Sequence, residues 1–314
     1  MRVATNTYTD SILNQFNLLT ARQYALQNQA STGLKIQAPS DDPSAMQDTL
    51  NELTDKAAQT QYSSNISTLQ TRATSIYNVM ESLQTISSRA SEIATSAGNP
   101  TNSQADLNNY ANQVQQLIQQ AAQLMNTKDA ASGQYLFGGT NSTQAPYTTT
   151  TDASGNITGV TYQGNASVNQ VEIAAGTTMS VDVPGENTTG TGPHGLITDS
   201  TSGADLFNHL IALQNNLTSG NTAAVTGTDS ANLQKDGNNL LYQVSYNGAM
   251  QTHLNIAATF ATNRSSSLDQ MISNSSSADL VQTMVQLNQA QTAYQAALQS
   301  SAKIMQLSIL NYLP

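Results

Sequence analysis

The chain has 314 residues, enough for two or three domains with their own cores. Only 10% are charged, against about 25% in an ordinary soluble domain, and Ser, Thr, Asn and Gln supply 137 positions in their place. The net charge of −10 argues against nucleic acid and anionic membrane as partners, since both need clustered Lys and Arg, and a chain without cysteine has no thiolate or disulfide chemistry.

In chain order, Ile12, Phe16, Leu19, Leu26 and Ala30 mark one face of a first helix, interrupted at Gln23 and stopped by Gly33. Asp42 then suits an N-cap and Pro43 the first helical position, where no amide donor is needed. The next helix is expected to run to about Ala97. Its stripe of Tyr62, Ile66, Leu69, Ala73, Ile76, Met80, Leu83, Ser87, Ala90 and Ala94 alternates steps of four and three, which is coiled-coil spacing. Gly98 and Pro100 stop it. A third helix from about Ser103 carries Leu107, Ala111, Val114, Ile118, Ala121 and Met125 and ends by Gly133.

Residues 138–228 read differently. Val160–Gln163, Val168–Ile173 and Met179–Pro184 are short β-prone runs, with turns at Asp152–Asn156 and Gly176-Thr177. Residues 185–204 are expected to be a flexible loop, and 206–217 a short helix. A fourth helix should start near Asp229 and reach about Met271, on Leu240, Val244, Asn247, Gln251, Leu254, Ala258, Ala261, Ser265, Leu268 and Ile272. After a break at Ser273–Ser277, the last helix shows Leu280, Met284, Leu287, Gln291, Tyr294, Leu298, Ser301 and Met305, closing on Leu310, Tyr312 and Leu313. The fold class is therefore mainly α, long helices in a coiled-coil bundle, with an inserted β-rich domain.

The two ends share one pattern and can pair. Several stripe positions are polar or small, so the seam buries little apolar area at about 25 cal/mol per Å². Each ordered residue meanwhile costs about 1–2 kcal/mol of backbone entropy. The terminal helices are accordingly expected to be marginal alone and to order when other subunits cover them. Chemical motifs are poor. Gly190–Gly195 fits GxGxxG as a string but follows no strand and contains a proline. His194, His209 and His253 have no metal-ligand spacing and read as loop or surface residues. No catalytic, cofactor-binding or metal-binding residues are expected. Residues 1–30 lack the apolar core of a cleaved secretory signal, and no apolar run is long enough to span a membrane.

Certain segments carry a family resemblance. Ser31-Thr32-Gly33-Leu34-Lys35 followed by Pro39-Ser40-Asp41-Asp42-Pro43 resembles the N-terminal signature of bacterial flagellins and their relatives at the hook–filament junction. The proline after the acidic pair is similar to the junction members rather than to filament subunits. Gly133–Gly139 with Pro146-Tyr147, Gln289–Ala296 and Leu307–Leu313 extend the resemblance over about 1–147 and 229–313. It implies a terminal helical pair D0 (1–40 with 280–314), a helical D1 bundle (41–137 with 229–279) and an outer D2 insert (138–228). It also implies type III flagellar export with a dedicated chaperone, secretion to the flagellum, and a structural, non-enzymatic role. The implied partners are further copies of the chain, hook-associated protein 1 and flagellin.

The assembly interface is expected at Ile12, Phe16, Leu19, Leu26, Leu280, Met284, Leu287, Tyr294, Leu298, Met305, Leu310 and Leu313, with Asp41, Asp42 and Pro43 as motif and helix cap. The competing readings are a minor filament subunit and an adhesive or glycan-binding module in the insert.

Overall fold

The computed structural model describes residues 2–310, with side chains described for 10–303. Its elements are α1 (Arg2–Thr32), α2 (Pro43–Ala97), α3 (Gln104–Met125), seven short strands, α4 (Leu206–Thr218), one turn α5 (Thr222–Ala224), a π-helical turn (Val225–Asp229), α6 (Ser230–Ser276) and α7 (Leu280–Leu310). The chain forms two compact units. One comprises the chain to Ala58 with that from Asn263, and the other comprises Gln59–Thr262.

In the first unit α1 and α7 run antiparallel along one another. Gly33 ends α1 at φ +71°, a left-handed conformation that costs a residue without Cβ nothing. The chain that follows meets the break between α6 and α7. Lys35 donates its amide to the Ser276 carbonyl at 2.7 Å, and Ala278 donates to that of Gly33 at 2.8 Å. The break thus falls at Ser277–Asp279, a few residues later than its serine run predicts, because α6 continues through Ser276. Among the described residues, Leu26, Ile36, Leu268 and Ala290 are the buried apolar ones here, beside Thr49, Ser276, Thr283 and Ser301.

The second unit holds the large core. The heptad stripe of α2 is buried from Ile66 to Ala94, and all six expected positions of α3 are buried. Ser103 caps α3 through a reciprocal box with Asp106. On α6, Leu240, Asn247, Leu254 and Ala261 are buried as their spacing predicts. One cluster joins Ile76–Ala97 of α2 with α3, α4, Leu233 and Leu240 of α6, Phe137, and Tyr147, Ile157, Val183 and Ile197 of the insert. A smaller one joins Ile66, Leu69 and Ala73 with Ile173, Val181, Leu254 and Ala261.

The strands form three separate ladders. β1 (Tyr147–Thr151) and β2 (Ile157–Tyr162) make an antiparallel hairpin in register Tyr147↔Tyr162. β3 (Val171–Ala174) and β4 (Thr177–Met179) make a second. β5 (Glu186-Asn187) pairs parallel with β6 (Thr198-Asp199), which pairs antiparallel with β7 (Ala204-Asp205).

The segment 185–204, expected to be flexible, is instead fixed by α6. Asn239 donates to the carbonyls of Gly195 and Leu196 at 3.0 Å each, and Gln243 donates to that of His194 at 3.0 Å. Asp199 adds bonds from the amides of Gly195, Thr201 and Ser202. Buried side-chain amides satisfy the backbone of the loop between β5 and β6 here, which apolar periodicity does not reveal.

Candidate assembly site

The strongest candidate site is the paired helices α1 and α7. Ile12, Phe16, Leu19, Gln23 and Ala30 are half-buried and Leu26 is buried, so the α1 stripe steps by four and three without a gap. Phe16 meets Tyr294 edge-to-face, with centroids 5.7 Å apart and planes at 79°.

On α7 the inward line is Thr283, Leu287, Ala290, Tyr294, Ala297 and Ser301. It shares Leu287, Tyr294 and Ser301 with the stripe read from the large apolar residues. At the alternate positions it takes the residue one place earlier: Thr283 rather than Met284, Ala290 rather than Gln291, and Ala297 rather than Leu298. At these alternate positions the small side chains therefore face α1 and their larger neighbours face away, while Leu287 and Tyr294 stay in the seam. Leu280 is 50% exposed, Met284 55%, Leu298 47% and Val281 77%. A surface groove on α7 of about 540 Å³ runs beside them between Val285 and Ala296. On α1, Leu13, Leu18 and Tyr24 also face out.

Of the expected interface residues, Ile12, Phe16, Leu19, Leu26, Leu287 and Tyr294 come together in the seam. Leu280, Met284 and Leu298 lie outside it, while Leu313 and the side chains of Met305 and Leu310 fall beyond the described residues. The sequence signal for the small-residue line was present, as Thr283–Ala290–Ala297 repeats every seven residues.

Charge is sparse on both helices. The described part of α7 has the single ionised side chain Lys303. Fully burying an apolar side chain of this size is worth about 1.5–3 kcal/mol, so each exposed one retains roughly half that for a contact made later.

Asp41 and Asp42 fix the entry to α2. Asp42 Oδ1 accepts the Ala45 amide at 3.0 Å, and Pro43 occupies the first helical position. Asp41 Oδ2 accepts the amides of Gln37 and Ala38 at 3.0 and 2.9 Å, which holds its carboxyl below the usual range.

Elsewhere, titratable groups brace the fold. His209, read from sequence as a loop or surface residue, is largely buried and bonds both Asp236 oxygens through Nδ1 at 2.9 and 2.8 Å. Those bonds raise its pKa against the opposing effect of burial. The same carboxylate accepts the Asp205 amide at 2.8 Å. Among the described residues no cluster of three or more His, Cys, Asp or Glu could hold a metal ion, and no helix is long and apolar enough to cross a membrane.

Residues 3–142 match the family model of the bacterial flagellin N-terminal helical region. Among curated proteins none matches the chain. Solved structures do. A Vibrio parahaemolyticus protein assigned to the flagellar hook-associated proteins superimposes with a TM-score of 0.64 at 21% identity, over 76% of this chain and 100% of the other. FlgL of Xanthomonas campestris gives 0.57 at 18% identity, over 69% and 98%. FlgL of Bacillus cereus gives 0.56 at 16%, over 71% and 99%. The fold is thus of the flagellin class, long helices at both ends around an insert with short strands. Within that class, it is the fold of the FlgL hook-associated proteins.

Proposed function

We propose that this chain is a structural subunit of the flagellar hook–filament junction, joining hook-associated protein 1 to the flagellin filament as a ring of identical copies. The role is structural, not enzymatic. The observation that supports it best is the distribution of side chains on α7: small residues face α1, and Leu280, Val281, Met284 and Leu298 remain outward. Apolar residues held at the surface of a regular helix are positioned for a partner. On this reading residues 1–40 and 280–314 form the D0 pair, 41–137 with 229–279 the D1 bundle, and 138–228 the D2 insert. The outward face of α7 contacts neighbouring subunits, and before assembly an export chaperone covers it.

The test is electron microscopy of cells lacking the chain, with flagellin assayed in the medium. Hooks without filaments, and flagellin lost to the medium, are expected. Intact filaments would overturn the junction role. Complementation with Phe16→Asp separates the site from the fold. That variant should keep the second unit intact yet fail to restore filaments, and normal filament growth would refute the role given to the α1–α7 seam.

A further inference from the structure

The second unit contains a cleft of about 420 Å³ between α6, the end of β4 with the chain after it, and the loop at His194. Tyr242 and Tyr246, one helical turn apart on α6, form its floor. Their centroids are 6.2 Å apart and their planes are within 17° of parallel. The rings are 47% and 44% exposed, so neither is committed to the core. His194 stands against Tyr242 with centroids 4.9 Å apart and planes at 58°, forming a wall to that floor.

The wall is held in place. His194 Nδ1 lies 3.1 Å from the buried Asp199 carboxylate, and its carbonyl accepts from Gln243. Gln170, Thr178 and Ser180 add polar groups to the rim.

We propose that this cleft binds a neutral pyranose oligosaccharide. Its only carboxylate, Asp182, is bonded to Arg72, which also reaches Asp129, and no Lys or Arg lines it. An anionic ligand such as a phosphate would find no counter-charge, and its desolvation would go uncompensated. An acyl chain would strip water from the amide and hydroxyl groups without replacing their hydrogen bonds. A sugar ring satisfies both halves of the lining. A face of axial C–H groups meets the negative π face of a tyrosine, and equatorial hydroxyls reach the amides and hydroxyls around it. Two exposed, nearly parallel rings one helical turn apart offer aromatic faces on which sugar units can stack. A proline-rich peptide is matched less well, because its rings carry no hydroxyls to replace the water on Gln170, Thr178 and Ser180.

The test uses the full-length, unassembled chain, so its outcome is independent of the junction reading. Cellotetraose and chitotetraose, as neutral β-linked probes, are titrated at millimolar concentration and followed by calorimetry and saturation-transfer NMR. Saturable binding is expected. Tyr242→Ala and Tyr246→Ala should each weaken it about tenfold, and Tyr246→Phe should keep it, since the ring rather than the hydroxyl does the stacking. Unchanged melting of each variant establishes that the fold is intact, as expected for exposed side chains. Neither sugar binding, or binding indifferent to both alanine variants, would overturn the proposal. So would a polyproline peptide that binds through Tyr246 where the sugars do not.

Discussion

Glu186 shows how a single residue makes this sparsely charged chain sensitive to pH. Burial raises its carboxyl to about 7 and the Asp205 charge adds to the rise, against a bond from Thr198. A raised acid pKa means that the fold prefers the protonated form. The contribution to stability is therefore full below about 4.5, the ordinary value, and is lost as pH climbs through about 7. Discounted for the water that still reaches this half-buried side chain, the swing is about 1–2 kcal/mol. Glu186→Gln should match the parent at pH 5 and exceed it at pH 8 in urea titrations, and an equal loss in parent and variant between those values would exclude Glu186 as the cause. Beside it, Tyr147 is 2% exposed and its hydroxyl makes no hydrogen bond among the described residues. Tyr147→Phe is accordingly expected to be neutral or stabilising by up to about 1 kcal/mol, and a clear loss of thermal stability would mean that the hydroxyl has a partner. Neither feature was legible in the sequence. Tyr147 and Glu186 lie far apart along the chain and meet only because Gly185 lets the rings approach: a Cβ there would lie 2.4 Å from the Tyr147 hydroxyl.

Among the elements, legibility followed the strength of the period. The stripes of α2 from Ile66 and of α3 are buried as read, since large apolar residues recur on both lines of the heptad: Leu69, Ile76 and Leu83 with Ile66 and Met80 in α2, Leu107 and Val114 with Ile118 and Met125 in α3. In α7 a reading weighted by size found the shared line of Leu287, Tyr294 and Ser301. It then took the outward residues for the second inward line, because Thr283, Ala290 and Ala297 carry little hydrophobic signal. Polar helix faces were the other blind spot: Asp236, Asn239 and Gln243 are buried on α6 because each satisfies backbone or side-chain groups of the insert. The seam and the outward face of α7 can be separated experimentally. Leu280→Ser with Met284→Ser should leave the melting of the free chain within about 0.5 kcal/mol, since both side chains are exposed, while blocking incorporation. Ala290→Leu should instead lower the stability of the helical pair by about 1–3 kcal/mol through overpacking. If the double serine variant assembles like the parent, the exposed face of α7 is no interface.

Across the whole molecule, the two units have cores of different kinds. In the second, apolar residues from four helices and the insert form continuous clusters. In the first, half of the buried residues among those described carry hydroxyls, and the apolar set is Leu26, Ile36, Leu268 and Ala290. Apolar burial is the main term opposing chain entropy, so the first unit has the smaller margin per ordered residue. Its ion pairs, Lys56 with Asp269 and Arg264 with Asp55, are solvent-exposed and add at most about 1 kcal/mol each. Amide exchange in the free chain should therefore be fastest in α1 and in α7 up to residue 303, and slowest in α2 between Ile76 and Ala94. If the outward face of α7 is the interface proposed above, assembly should slow the terminal helices selectively, because it covers the apolar surface these helices leave open. Equal protection of terminal and central helices in the free chain would show that the α1–α7 pair is stable alone. Its outward leucines would then contribute affinity between subunits without contributing order.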